Sequence, residues 1–230
     1  MIATENIPMV LLPGMDGTGE LLATLVDQLS LRCSVQVISY PATEPLDYDD
    51  LTAFVEKRTP KEPFVILGES FSGPIAIEIA AREPLVAGLI LASSFARYPM
   101  PSLFAPIANM FDLRWMPRRI VEAALLGSTG YPELKTRLGQ LLARMPHEIV
   151  RARVAEVLRV DKRNRLREIT CPMLCLQGRF DWLVRKKCLD EMTSIQPKCQ
   201  VRWFYASHML LETHACEAAE AINEFCNRLR

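Results

Sequence analysis

Phe64-Val65-Ile66-Leu67-Gly68-Glu69-Ser70-Phe71-Ser72-Gly73-Pro74-Ile75-Ala76 is the stretch that decides how this chain is read. An apolar run of strand length gives way to small residues around a serine, and then to helical periodicity. A strand, turn and helix of this kind lifts a serine hydroxyl to the tip of a tight bend. The bend requires small residues two before and two or three after that serine. Gly68, Ser72 and Gly73 meet the need. Ser70 would stand at the helix N-terminus, where the helix dipole and the Phe71 N–H favour a developing oxyanion. Ser72 as nucleophile would put Ser70 and Pro74 at the flanking positions, and proline fits poorly there, so Ser70 is the candidate.

Outward from this segment, short apolar runs alternate with amphipathic ones. Strands are expected at 7–12, 35–40, 64–68, 86–93, 172–177 and 201–205, and helices at 20–30, 48–58, 71–82, 185–195 and 214–229. The alternation predicts an α/β fold, a mostly parallel sheet of about six strands flanked by helices. Residues 95–167 break the rhythm with helical periodicity punctuated by Pro and Gly, and read as an all-helical insertion of about four helices. The expected division is a core of 1–94 and 169–230 and a helical cap of 95–168. The neutral total, 27 Lys and Arg against 27 Asp and Glu, hides an uneven distribution. The cap carries 14 basic and 7 acidic residues, and the remainder is acidic by the same margin.

At 230 residues, 50% hydrophobic and 23% charged, the chain has globular composition, which excludes disorder, collagen and coiled coil. Zero net charge supplies no global field toward nucleic acid or an anionic membrane. Seven scattered cysteines argue against a disulfide framework and fit a reducing cytoplasmic setting. Cys171 and Cys175 lack the Cys-x-x-Cys spacing of a metal site and read as core residues. No basic, apolar leader precedes Pro8, and Pro99, Pro101 and Pro106 interrupt the least charged stretch, so neither an export signal nor a membrane span is expected.

A serine nucleophile needs a base, and the base an orienting carboxylate. Asp181 follows the expected strand 172–177, and His208 follows the strand 201–205. Both sit in loops at strand carboxyl ends, where active sites of open α/β sheets gather. Of the other histidines, His147 reads as a helix-start residue and His214 lies at the start of the final helix. Asp181 also has a plainer reading, as a cap for the following helix. Asp16 and Glu69 flank the site without an assigned role. A rival reading starts from Gly14-Met15-Asp16-Gly17-Thr18-Gly19 and Tyr131-x-x-x-Lys135 as a dinucleotide site. The glycine spacing and the insertion context of Tyr131 oppose it.

The order Ser70, Asp181, His208, on this alternation, resembles the α/β-hydrolase superfamily over nearly the whole chain. The loop Leu12-Pro13-Gly14-Met15-Asp16-Gly17 resembles that family's oxyanion loop, with Pro13 where a histidine usually stands. The resemblance implies oxyanion donors at the N–H groups of Met15 and Phe71. It also implies a sheet shortened at its start, because only residues 1–6 precede the first strand. It implies a serine carboxylic ester hydrolase acting through an acyl-enzyme on a small or medium acyl chain, with no cofactor and no metal. Segments 103–111 and 120–126 would wall the acyl pocket. Size and basic cap further resemble the pimeloyl-acyl-carrier-protein methyl ester esterases of biotin synthesis, in which an acidic acyl carrier protein would dock on the cap. Thioesterase, C–C hydrolase and perhydrolase chemistry use the same residues, and a non-catalytic ligand-binding protein on this fold is a further class.

Overall fold

The computed structural model describes residues 7–99, 118–127 and 130–229. Six strands, β1 (Met9–Leu12), β2 (Val35–Val37), β3 (Phe64–Glu69), β4 (Val86–Ala92), β5 (Met173–Gly178) and β6 (Gln200–Phe204), form one sheet in the order β2-β1-β3-β4-β5-β6. Every neighbouring pair is parallel. All six expected strands are present. The second ends at Val37 rather than residue 40 because the chain turns onto the loop after β1, where the Tyr40 N–H donates to Gly17 O at 2.7 Å.

Strand residues alternate between two apolar layers, as the period of 2 requires. Val10, Leu12, Ile66, Leu89 and Leu91 face a layer completed by α2 (Tyr48–Glu56), α3 (Gly73–Arg82) and α8 (Lys186–Ile195). Met9, Leu11, Val65, Leu67 and Ile90 face α1 (Ala23–Ser30), α9 (Leu210–Thr213) and α10 (Ala215–Cys226). The expected last helix, 214–229, is present as α10, and a short helix that was not expected, α9, precedes it, the two separated by His214, whose φ of −128° and ψ of 39° are not helical. With both faces covered, β3 is buried throughout. Each Leu or Ile moved there from water contributes about 1.5–3 kcal/mol.

Between β4 and β5 the described residues form α4 (Arg118–Leu126), α5 (Pro132–Arg144), α6 (His147–Val157) and α7 (Arg163–Glu168). Leu126, Leu138 and Leu141 pack on Leu21 and Met209 of the core. Part of the insertion's basic excess meets the acidic core directly. Lys162 Nζ and Arg165 Nε lie 2.9 Å from the buried Glu78 carboxylate, Arg97 3.2 Å from Glu191, and Arg144 2.7 Å from Glu20. The segment 103–111 lies outside the described residues. No described helix is long and apolar enough to cross a membrane. The cysteines are free thiols, with Cys175 Sγ of β5 and Cys199 Sγ, just before β6, 3.3 Å apart.

Candidate active site

Ser70 follows β3 with φ of +46°, a left-handed backbone that a non-glycine residue adopts only under constraint. The constraint comes from close packing on both sides of the bend. A Cβ on Gly68 would lie 2.7 Å from Ser72 O and 2.8 Å from Ala76 Cβ, and one on Gly73 would overlap Ser94 Oγ. Only glycine lets strand and helix approach this closely. The Ser94 hydroxyl, at the end of β4, donates to Ser70 O at 2.6 Å and holds the bend from outside.

Three loops at the sheet's carboxyl edge bring the expected residues together. Ser70 Oγ lies 2.8 Å from His208 Nε2, and His208 Nδ1 lies 2.8 Å from Asp181 Oδ2. Asp181 does not cap α8, which starts after Arg185. Its Oδ1 instead accepts the N–H groups of Leu183 and Val184, both at 2.9 Å. Gln177 Nε2 approaches Oδ2 at 3.4 Å. The Ser93 hydroxyl donates to His208 O at 2.6 Å, so adjacent serines after β4 hold both the nucleophile bend and the histidine loop. Burial by itself would lower the His208 pKa, but the Asp181 charge and its hydrogen bond outweigh that and hold it above the ordinary imidazole value. The imidazole is thus placed to accept a proton from Ser70 and to be stabilised once charged.

The loop after β1 is held at three successive residues. Pro13 O accepts a short hydrogen bond from Ser72 Oγ, which also contacts the Tyr40 hydroxyl at 2.5 Å. The Gly14 N–H donates to Glu69 Oε2 at 3.0 Å, and Arg153 Nη1 donates to Met15 O at 2.8 Å. Asp16 Oδ1 closes the following turn by accepting from Thr18 N, Thr18 Oγ1 and Gly19 N. The Met15 N–H has no acceptor among the described residues. The Phe71 N–H lies in the 3-10 turn of residues 70–72 that leads into α3, where the first donors have no intrahelical partner. The Phe71 ring is fully buried and stacks on Tyr48, with ring centres 4.9 Å apart.

Ser72 is fully buried, with its hydroxyl engaged by Pro13 O and the Tyr40 hydroxyl rather than by His208. His147 opens α6, and His214 contacts Thr213 Oγ1 at 2.9 Å, both apart from the site. The sequence reading did not assign Ser93, Ser94, Tyr40 or Arg153, and left Glu69 without a role. The only local signal for the serines was a small polar pair ending an apolar strand. Arg153 is 3% exposed although it sits in the basic insertion; nothing in its own segment distinguishes it from arginines that face solvent. Among the described residues no cluster of His, Cys, Asp and Glu could hold a metal ion.

A sequence profile of the alpha/beta hydrolase family matches residues 9–221. Over 239 aligned residues the chain is 26% identical to a pimeloyl-[acyl-carrier protein] methyl ester esterase of Xanthomonas oryzae pv. oryzae, covering 94% of each chain. Among solved structures, the enol-lactonase of Burkholderia xenovorans superposes with a TM-score of 0.85 at 17% identity, over 99% of this chain and 94% of that one. An esterase from Exiguobacterium antarcticum gives 0.84 at 15% identity, over 97% and 92%. At these identities the structural likeness is one of fold.

Proposed function

The chain belongs to the alpha/beta hydrolase family, and from that premise we propose that it is a serine carboxylic ester hydrolase with Ser70, His208 and Asp181 as its catalytic triad. The observation that carries the reading is the hydrogen-bonded chain from Ser70 Oγ through His208 to Asp181, with 2.8 Å at each link. His208 Nε2 takes the Ser70 proton as Oγ attacks the ester carbonyl. The N–H groups of Met15 and Phe71 receive the oxyanion, and Asp181 stabilises the imidazolium. The alcohol leaves with the proton from His208. Water, deprotonated by the same imidazole, then cleaves the acyl-enzyme and frees Ser70.

The substrate we propose is a small or medium acyl ester, with a pimeloyl-[acyl-carrier protein] methyl ester as the leading candidate. Support comes from a relative of that name matched over 94% of both chains. The insertion's surplus charge also supports it. Arg119, Arg151 and Arg159 are exposed and make no ion pair among the described residues, so they remain available to an acidic carrier. On this reading 95–168 is a cap over the site and the protein works in the cytoplasm.

The test is hydrolysis of p-nitrophenyl esters from acetate to decanoate by wild type, Ser70→Ala and His208→Ala, followed by the carrier-linked methyl ester. Loss of nearly all turnover in both folded variants supports the mechanism. Turnover surviving in Ser70→Ala overturns it. Failure of a fluorophosphonate to label folded wild type would favour a ligand-binding protein, and preference for thioesters would move the substrate to that class.

A further inference from the structure

A side chain from the inserted helices reaches onto the loop that carries a proposed oxyanion donor. Arg153, on α6, is 3% exposed, whereas Arg151 and Arg159 nearby in the chain face solvent. Its Nη1 donates to Met15 O at 2.8 Å and its Nη2 to Pro41 O at 3.3 Å. The guanidinium carbon lies 5.6 Å from the centre of the Tyr40 ring and 5.9 Å from that of Phe71, within reach of a cation–π contact. The group also rests against Gly17, whose φ is +72°, and a Cβ there would lie 2.5–2.8 Å from its Nη1, Nη2 and Cζ atoms. Glycine at 17 therefore allows both the turn and the close approach of the arginine.

The bonds around Met15 show what this grip determines. The Gly14–Met15 peptide carries the Met15 N–H, and its oxygen accepts the Gly17 N–H at 3.1 Å. The peptide before it is held at both ends, by Ser72 Oγ at Pro13 O and by Glu69 Oε2 at the Gly14 N–H. The peptide after it is bonded, among the described residues, through Arg153 Nη1 alone. Each peptide is a rigid plane, so the direction of the Met15 N–H changes only by rotation at the α-carbons that flank it, those of Gly14 and Met15. Ser72 and Glu69 restrain the first of these from one side, and Arg153 restrains the second from the other.

We propose that Arg153 is a positioning residue through which the insertion fixes the peptide after Met15 and so aims the Met15 N–H at the oxyanion. The same side chain packs on the ring of Phe71, whose N–H is the other proposed donor, so the two donors share one support. Among the described residues no carboxylate hydrogen-bonds to Arg153, and burial lowers its pKa despite the opposing influence of Tyr40 and Asp16. A buried charge is costly unless it is bonded, and this one is bonded to backbone carbonyls of the loops beside the site. Because Arg153 comes from α6, the donor set is complete only while that helix is seated on the core.

The inference rests on the proposed hydrolase reading, and the experiment separates their failures. The kcat and KM of p-nitrophenyl butyrate hydrolysis are measured for wild type, Arg153→Met, Arg153→Lys and Arg144→Ala, with thermal melting to confirm each fold. Ki is measured in parallel for an alkyl trifluoromethyl ketone. Ser70 Oγ adds to its carbonyl carbon, His208 takes the proton, and the carbonyl oxygen becomes an oxyanion in the same site. Methionine fills the place of the arginine stem and removes the donors. Arg153→Met should lose about a hundredfold in kcat with KM within about threefold, and the ketone Ki should rise by about the same factor as kcat falls. Arg153→Lys, with a point charge in place of the planar fork, should fall between, at about tenfold. Arg144→Ala removes another tie between insertion and core, the exposed ion pair with Glu20, and should stay within about threefold of wild type. A kcat within about threefold of wild type in folded Arg153→Met, a loss carried by KM, or an unchanged ketone Ki overturns the proposal. An equal loss in Arg144→Ala overturns it as well, because seating of the insertion rather than the Met15 bond would then be the cause. Wild type without turnover or ketone binding refutes the hydrolase reading and this inference with it, whereas an active wild type indifferent to residue 153 refutes this inference alone. Should Arg153→Met fail to fold, Arg153→Lys carries the test against the same limits.

Discussion

Replacing Asp181 with asparagine tests the electrostatic logic of the site at almost no steric cost. Oδ1 of Asp181 receives two backbone N–H groups, from Leu183 and Val184 at 2.9 Å, and Oδ2 receives His208 Nδ1 at 2.8 Å. Asparagine has one oxygen for these two roles. Turned toward the backbone, that oxygen satisfies both N–H groups and leaves the amide NH2 against Nδ1. Turned the other way, it strands two buried donors, at about 1–3 kcal/mol each. The first orientation wins. Nδ1 must then accept, the imidazole proton moves to Nε2, and the nitrogen facing Ser70 can no longer take a proton. In Ser-His-Asp enzymes this tautomer error costs about ten-thousand-fold in kcat, or about 5.4 kcal/mol of transition-state stabilisation. The assay is kcat for p-nitrophenyl butyrate in wild type and Asp181→Asn, with thermal melting to confirm the fold. A loss below about tenfold in folded Asp181→Asn would refute both the tautomer argument and the role given to Asp181.

Four other outcomes are expected. Ser72→Ala should lose about 1–2 kcal/mol of stability, because Pro13 O loses its donor and the Tyr40 hydroxyl a partner, yet keep fluorophosphonate labelling at Ser70; labelling abolished in a folded variant would contradict the assignment. The plot of kcat/KM against pH should fall on the acid side with a midpoint above the ordinary imidazole value of about 6.5, since burial is outweighed by Asp181 and the base acts only when neutral; a midpoint below 6 would contradict the geometry. The linked stability has the same origin: a folded-state pKa above the unfolded one stabilises below about 6.5 and fades as pH rises through the folded value, which urea midpoints for wild type and His208→Gln should show. Glu78→Gln should cost about 1–3 kcal/mol in urea unfolding, because a buried carboxylate receiving Lys162, Arg82 and Arg165 joins the insertion to α3; although burial opposes its charge, those cations lower its pKa, so this contribution is present above the unfolded carboxyl value and lost as pH falls through the folded one.

Much of the molecule is written locally in the chain. Apolar runs of strand length, each followed by a helical period, specify a parallel sheet covered on both faces, because backbone hydrogen bonding and burial leave few other arrangements. Gly68 and Gly73 mark the bend around Ser70, since no other residue permits its close contacts. Asp181 and His208 were legible because each follows a recognisable strand, and strands in a parallel sheet deliver their following loops to one edge. The assignment of Ser70 over Ser72 was also local, and burial of Ser72 against Pro13 and Tyr40 gives its physical ground.

What only the tertiary structure decided are the contacts between segments far apart in the chain. Glu69 lies 55 residues from the Gly14 N–H it accepts, Ser93 lies 115 from the His208 carbonyl it holds, and Arg153 lies 138 from Met15. An acidic residue before a nucleophile and an arginine in a basic helix have no local feature separating a buried partner from a solvated charge. The distinction depends on which oppositely polar group the fold brings within about 3 Å, and on whether water is excluded there. The sequence by itself determined the succession of strands along the chain and the loops in which the proposed catalytic residues lie. The packing of those loops against each other determined which charges are buried and which carbonyls are held.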